Sequence, residues 1–244
     1  MARFFIEVAY KGTKFSGFQV QHNAVTVQSE VELALNICFK ETFNLTGASR
    51  TDSGVHARQN FFHVDTEVEI DDGHKLYNLN AIISKDIVIT RIFRVSDEAH
   101  CRFDAICREY KYYIYTKKDP FLQETAYYFP YHIDFKLLQQ AAIVVTTNID
   151  FTSFSKRNTQ VNNFICSIQK SEWLIEDSRL VYNVSANRFL RGMVKGLVGT
   201  MLLVGTGKIS LEALHHIFET KDCSNANFAV PPHGLFLEKV TYPI

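Results

Sequence analysis

The sequence predicts an α+β fold made of two successive subdomains. Two observations predict it. Stretches with strand character and stretches with helical spacing alternate in the same coarse order twice along the chain, without letter-by-letter repetition. Apolar residues make up 46% of the 244 positions and charged residues 21%, which suits an ordered globule with a sizeable core. The division falls between residues 104 and 105, giving subdomains 1–104 and 105–244.

In the first half, Phe4 to Tyr10 (FFIEVAY) is a near-continuous β-prone apolar run and reads as a strand. Lys11 to Gln21 sets glycines and polar residues around Phe15 and Phe18 and reads as a loop able to lie against a ligand. From Thr26, a candidate cap, Val27, Val31, Ala34, Leu35 and Cys38 share one helical face that must cover a sheet. Phe43 to Leu45 begins a second strand and Asn60 to Val64 a third. Gly73 to Ser84 shows helical spacing of Leu76, Leu79, Asn80 and Ile83, and Ile87 to Val95 alternates as a further strand. The order is that of a ferredoxin-like α+β half.

In the second half, Tyr110 to Thr116 (YKYYIYT) is an aromatic strand. Pro120 and Pro130 bracket a loop or short edge segment. Asp134 caps a helix over Phe135 to Thr146, with Leu137, Leu138, Ala141, Val144 and Val145 on its apolar face. Asn162 to Trp173 and Arg179 to Ala186 read as strands joined by the polar turn Glu176 to Ser178. Arg188 to Val204 carries a broad apolar stripe and predicts a long helix ended by Gly205 and Gly207. Ser210 caps a shorter helix through Ile217, and Gly234 opens a final strand, Leu235 to Tyr242.

Lys and Arg together number 26 and so do Asp and Glu, so net charge gives no global sign of nucleic-acid binding. Local distribution differs. Between Asp177 and Glu212 the chain carries Arg179, Arg188, Arg191, Lys195 and Lys208 without an acidic residue, while Asp65, Glu67, Glu69, Asp71 and Asp72 crowd together. The pattern predicts a basic face and an acidic edge. The five cysteines (Cys38, Cys101, Cys107, Cys166 and Cys223) are scattered and form no CxxC pair or close His cluster in sequence, which predicts free thiols and no structural zinc. No run has the length of a membrane span, and Met1-Ala2-Arg3 leads straight into an apolar strand rather than a secretory signal, so the expected location is cytoplasmic.

The densest chemistry lies in Gly47 to Arg58 (GASRTDSGVHAR), where two glycines bound a turn. Asp52 sits between Arg50 and Arg58. A carboxylate so framed favours its charged form, suiting a nucleophile or electrostatic group better than a general acid. A surface loop whose arginines and aspartate face water has the same residue types. Arg188, Arg191 and Lys195 recur at spacings of three and four, which on a helix makes a basic ridge suited to an RNA backbone. Tyr110 joins a stacking ring to a hydroxyl, and Arg102 and Arg108 are candidate phosphate contacts. P-loop, GxGxxG, HExxH and GxSxG patterns are missing, and His215-His216 has no ligand-spaced third partner.

Arg50-Thr51-Asp52-Ser53-Gly54-Val55-His56-Ala57-Arg58 closely resembles the active-site loop of the tRNA pseudouridine synthase A family, in which the aspartate is essential; Ser53 stands where Ala is commoner. CRFDAICREYKYYIY resembles the family's second element, with Tyr110 at its active-site tyrosine. Asn187 to Lys195 (NRFLRGMVK) resembles the third, with Lys195 in place of the usual Arg, which keeps the charge and loses the planar fork. Val230 to Leu237 (VPPHGLFL) resembles the closing signature, with Leu235 as the uracil-facing contact. Gly17 to Gln21 resembles the early glutamine-rich loop, with Phe18 where Trp is common and Val20 where Arg is common. Phe151 to Phe154 is a further short match, with Lys156 and Arg157 beside it as RNA contacts, and the family arginine expected near Asn162 is absent.

The resemblance spans the whole chain. It implies two ferredoxin-like (RRM-like) subdomains sharing a mostly antiparallel sheet, with helices packed on it and a basic cleft between them. It further implies a homodimer acting on tRNA without cofactor or metal, making pseudouridine at three neighbouring positions of the anticodon stem-loop. Asp52 would be the essential carboxylate, attacking C1′ or removing a sugar proton. Arg58 would support Asp52 or hold the flipped nucleotide, and Tyr110 would stack on the base and take part in C5 deprotonation. Arg50, His56, Arg102, Arg188, Arg191, Lys195 and Leu235 would bind substrate. Two other classes use the same letters differently. A non-catalytic RNA-binding module has no need of a framed Asp52, and a carboxylate glycosidase needs a second acid, for which Asp104 and Glu109 are the candidates.

Overall fold

The structure, a computed structural model, describes residues 1–68, 70, 74–157 and 161–243. Glu69, Asp71, Asp72 and Gly73, part of the acidic edge and of a helix start read from the sequence, lie outside them. The fold is mixed α+β, with helices packed on β-sheet. Two compact units divide the chain, Met1–Ile106 with the segment from Phe236 onward, and Cys107–Leu235.

The first unit contains β1 (Ala2–Tyr10), α1 (Val27–Phe39), the two-residue β2 (Thr46–Gly47), β3 (His56–Thr66), α2 (His74–Ile82) and β4 (Ile87–Arg94). β1 runs antiparallel to β3 on one side (Ile6 opposite Phe62) and to β4 on the other (Phe5 opposite Phe93). The second unit contains β5 (Cys107–Tyr115), β6 (Tyr127–Tyr128), α3 (Phe135–Thr147), β7 (Ile168–Glu176), β8 (Arg179–Ala186), α4 (Met193–Gly205) and α5 (Leu211–Thr220). β8 lies antiparallel between β5 and β7, and β6 adds a parallel edge to β5. The last strand, β9 (Leu235–Thr241), pairs in parallel with β3, Phe236 opposite His56. That register takes the chain from Phe236 onward out of the 105–244 subdomain and into the first unit.

Caps set most helix ends. Thr26 Oγ1 accepts the Ser29 N–H at 3.1 Å while Ser29 Oγ accepts the Thr26 N–H at 3.0 Å, a reciprocal box that starts α1. Asp134 Oδ1 accepts from Lys136 and Leu137 at 2.8 and 3.1 Å at the start of α3. Val27, Val31, Ala34 and Leu35 of α1 are buried, as their spacing requires. Between β7 and β8 the chain reverses through Asp177 and Ser178 at φ 48° and 62°, the left-handed pair a two-residue hairpin needs.

Four expectations are corrected. Phe43 to Leu45 forms no strand, because Asn36 Oδ1 and Glu32 Oε1 of α1 take the Phe43 and Leu45 amides (2.8 and 2.9 Å) that a ladder would use. Phe15 and Phe18 face the core rather than a ligand, at 4% and 1% exposed, and the Phe18 ring stacks on Phe62 at 4.4 Å. Gly47 makes room for it, since a Cβ there would fall 2.4 Å from Phe18 Cε1. β7 begins at Ile168 and not at Asn162, because Asn163 and Asn187 side chains hold the Ile165 and Ser167 amides at 2.8 Å. The long helix begins at Met193 and not at Arg188, because Gly192 enters at φ 74° with no side-chain cap.

Candidate active site

Residues 48–55 connect β2 to β3 as a loop. Its backbone is held from several sides. Thr51 O accepts the Phe18 N–H at 3.1 Å, Ser53 Oγ donates to Phe15 O at 3.1 Å, and the Val55 N–H closes onto Asp52 O at 3.2 Å across Gly54, whose φ is 77°. Gly12 lies so close that a Cβ would collide with the Val55 carbonyl, and Gly17, at φ 96°, passes along the backbone of Thr51 and Ser53, which a Cβ would approach to 3.1 and 3.4 Å.

Below the loop runs a buried polar chain. Asn60 Nδ2 donates to Ser49 O at 2.9 Å and to the Tyr10 hydroxyl at 3.2 Å, and Asn60 Oδ1 accepts the Phe61 N–H at 2.9 Å. The Tyr10 hydroxyl lies 2.8 Å from Thr51 Oγ1. Ser49 Oγ is buried without a partner among the described residues.

Asp52 is half-buried, and among the described residues no hydrogen bond or ion pair reaches its carboxylate. The framing by Arg50 and Arg58 is therefore corrected. Arg50 is exposed, and Arg58 Nε lies 3.3 Å from Glu238 while its guanidinium covers the Phe236 ring at 5.3 Å. β9 supplies both partners, so the pairing of β9 with β3 is what diverts Arg58. His56, expected to bind substrate, is 1% exposed; its Nδ1 accepts the Gly12 N–H at 3.0 Å and its ring stacks on Phe236 at 4.5 Å. It is a wall behind the loop. Glu238, Phe236, Tyr10 and Asn60 were not singled out by sequence; Asn60 is one of several polar residues in β3, beside Arg58, Gln59, His63 and Asp65, so its letter alone did not mark it.

In the second unit, Tyr110 lies on β5 opposite Val184 of β8, 9% exposed, with Phe189 edge-on to its ring at 5.0 Å. That contact brings Tyr110 to the segment holding Arg188 and Arg191. With α4 starting at Met193, these two arginines precede the helix and Lys195 lies in its first turn, so the helical ridge is replaced by a cluster at a turn. Lys156 joins it: its amide donates to Arg191 O at 3.0 Å and its stem packs on Gly192. The first turn of α4 contains no acidic residue. Cations at the positive end of a helix dipole are unfavourable unless an anion joins them.

Arg157 pairs with Asp222 at 3.3 Å. Phe151 and Phe154 are fully buried. Leu235 is 7% exposed and follows the turn Pro232–Gly234, which packs on Tyr112; the Tyr112 hydroxyl donates to Pro231 O at 2.7 Å. Tyr112 is therefore a support for this segment. Burial also pushes its hydroxyl pKa far up.

Arg102 is exposed, with its guanidinium 5.7 Å from the Phe103 ring. Asp104 Oδ2 accepts the His100 N–H at 2.7 Å, a turn-capping role rather than that of a second catalytic acid. The fold also gathers His63, His100 and Cys101, whose ligating atoms lie within 4.8 Å, a proximity the linear spacing did not reveal. The Cys101 thiol and amide and the Nδ1 atoms of both histidines are engaged internally. Cys101 Sγ donates to Thr46 O at 3.1 Å, His63 Nδ1 accepts the Cys101 N–H at 3.3 Å, and His100 Nδ1 accepts from Arg102 and Phe103 at 3.1 and 3.3 Å. Burial first, then the neighbouring His100 and Arg3, lowers the His63 pKa to about 4. All five cysteines are free, and no helix among the described residues is long and apolar enough to cross a membrane.

Comparison with known proteins covers the same regions. A family model described as tRNA pseudouridine synthase matches residues 148–243, which include β8, the basic turn, α4 and β9. The tRNA pseudouridine synthase A of Parabacteroides distasonis is 45% identical over 244 residues, covering 100% of this chain and 97% of that protein. Proteins of the same name from Porphyromonas gingivalis and Staphylococcus aureus are 42% and 34% identical, covering 100% and 98% of this chain and 98% and 90% of their own lengths. With similarity running through both units at such identity, the chain belongs to the tRNA pseudouridine synthase A family.

Proposed function

We propose that the chain isomerises uridine to pseudouridine in the anticodon stem-loop of tRNA, at three neighbouring positions, with Asp52 as the essential carboxylate. The observation that carries this is the Arg50 to Arg58 loop, which holds a carboxylate without a partner among the described residues in a backbone secured on both flanks. An unpartnered, half-buried carboxylate is a group kept for a ligand.

A uridine leaves the stack at a cost of a few kcal/mol, less near a loop than within a duplex. The N1–C1′ bond then breaks, the uracil turns, C5 bonds to C1′, and the C5 proton leaves as N1 gains one. Asp52 acts on the sugar, as a nucleophile at C1′ or as a base for a sugar proton. Tyr110 stacks on the base and takes part in removing the C5 proton, and Leu235 faces the uracil. Arg58, exposed beyond its contact with Glu238, holds the flipped nucleotide, and Arg50 also binds substrate. Arg188, Arg191, Lys195 and Lys156 meet phosphates at the start of α4, where the helix dipole adds to their charge. Arg102 adds a further phosphate contact. The finer architecture we assign is a pair of ferredoxin-like subdomains sharing one sheet around a basic cleft, acting as a cytoplasmic homodimer without cofactor or metal.

The test is release of the C5 hydrogen from unmodified tRNA labelled at that position. The native chain turns over, and Asp52→Asn binds tRNA without turnover. Unchanged turnover in Asp52→Asn sinks the mechanism, while a native chain that binds but never isomerises supports the binding-module alternative.

A further inference from the structure

The loop's irregular backbone is secured by something that lies outside it. Thr51, the residue before Asp52, is 7% exposed, and its side chain meets the Tyr10 hydroxyl at 2.8 Å. Tyr10 closes β1 and is 5% exposed, its ring set 5.7 Å from that of Phe18. Asn60, fully buried on β3, spends its two amide hydrogens on Tyr10 and on Ser49 O and its carbonyl on the Phe61 amide. Asn60 thus has no rotational freedom left. It fixes where the Tyr10 oxygen lies, and Tyr10 fixes Thr51.

On the other flank, Ser53 donates to Phe15 O and Thr51 O holds the Phe18 amide, so Asp52 is suspended between two anchored neighbours. A side chain on such a span points where its flanks point it. A displacement of about 1 Å at a reacting group costs on the order of 100-fold in rate.

We propose that Tyr10, held by Asn60 and acting through Thr51, is a positioning residue for Asp52. The proposal rests on Asp52 being the catalytic carboxylate. Tyr10 touches no substrate, and its hydroxyl acts only by holding the peptide before Asp52 in one place. The chain Asn60 to Tyr10 to Thr51 is one unit, so removing either hydroxyl releases the same constraint.

The experiment measures single-turnover and steady-state isomerisation of unmodified tRNA together with tRNA binding and thermal melting. Its variants are Tyr10→Phe, Thr51→Val, their double mutant, Thr51→Ser and Asp52→Asn. Tyr10→Phe keeps the ring and its packing on Phe18. The expected result is a fall in kcat of roughly 10- to 100-fold in Tyr10→Phe, with KM and tRNA affinity within about twofold of the native chain. Thr51→Val falls similarly, Thr51→Ser restores most of the rate, and the double mutant is no worse than the poorer single mutant, because one constraint is lost once.

Native kcat in Tyr10→Phe alongside an inactive Asp52→Asn overturns the positioning role and leaves the Asp52 assignment standing. Equal losses of kcat and tRNA binding, or fully multiplicative losses in the double mutant, also overturn it. An active Asp52→Asn removes the ground on which it rests.

Discussion

The Asp52 loop and the basic turn before α4 solve opposite problems. The loop places one group, and it is clamped by hydrogen bonds from β1, β3 and the Phe15–Phe18 segment. The turn gathers several cations around a left-handed glycine, with Arg191 exposed and Arg188, Lys195 and Lys156 half-buried. One region trades on geometry, the other on charge. Geometry tolerates little displacement, whereas phosphate contacts add roughly independently and weaken with salt.

This contrast can be broken at its strongest point by exchanging the kind of damage. Asp52→Asn should cut turnover by at least about 1,000-fold with tRNA affinity retained, as loss of a reacting group does. Arg188→Ala with Arg191→Ala should do the reverse, weakening tRNA binding by roughly 10- to 100-fold, lowering the salt slope by about one per arginine, and sparing the single-turnover rate at saturation. A Kd unchanged in the double mutant would remove the cluster from the interface.

A second prediction concerns the strand that leaves the loop. His63 of β3 is neutral when folded near neutral pH, its pKa lowered to about 4 from 6.5 by burial first and then by the neighbouring His100 and Arg3, against the weaker opposing pull of Asp65 and Asp104. A folded pKa below the unfolded one means that stability is intact above about pH 6.5 and is lost as pH falls toward 4, by up to about 3 kcal/mol. Urea unfolding across that window should show the slope, and His63→Gln should flatten it. A slope that persists in His63→Gln assigns the titration elsewhere.

The smallest effect tests the turn's own backbone. Gly192→Ala places a side chain at φ 74° against the flexible stem of Lys156, about 3.0 Å away, and should cost about 1 kcal/mol in thermal melting. It should also loosen the arginine cluster, raising Kd by a few-fold without touching the chemical step. A larger loss of kcat than of affinity would mean the turn places a reacting group after all.

How much of this was legible in the sequence depended on whether a residue's role is local. α1, α3 and α5 follow from caps and apolar spacing, since a Thr, Asp or Ser and the turn that follows are enough to begin them. Arg188 and Arg191 keep helical spacing yet lie outside α4, because the left-handed φ at Gly192 overrides periodicity, and a glycine's φ is not written in its neighbours. The loop's composition pointed to Asp52, but the partners of Arg58 did not follow from it. Glu238 and Phe236 lie far along the chain and reach Arg58 only through strand pairing. The same holds for Tyr10 and Asn60, and for the meeting of His63 with His100 and Cys101.

The return of β9 to the first unit has a consequence for biosynthesis. β3 begins at His56, where the Asp52 loop ends, and its partner there is a segment made only after the whole of the second unit has been synthesised. Until then Arg58 lacks Glu238, His56 lacks the Phe236 ring, and Ile106 lacks the Thr241 carbonyl that its amide bonds to at 2.8 Å. The nascent first unit therefore waits with an open strand edge while its neighbour folds. Premature termination before Phe236 would yield an unfinished chain whose Asp52 loop lacks its rear support, so stalled products should be degraded rather than compete for RNA.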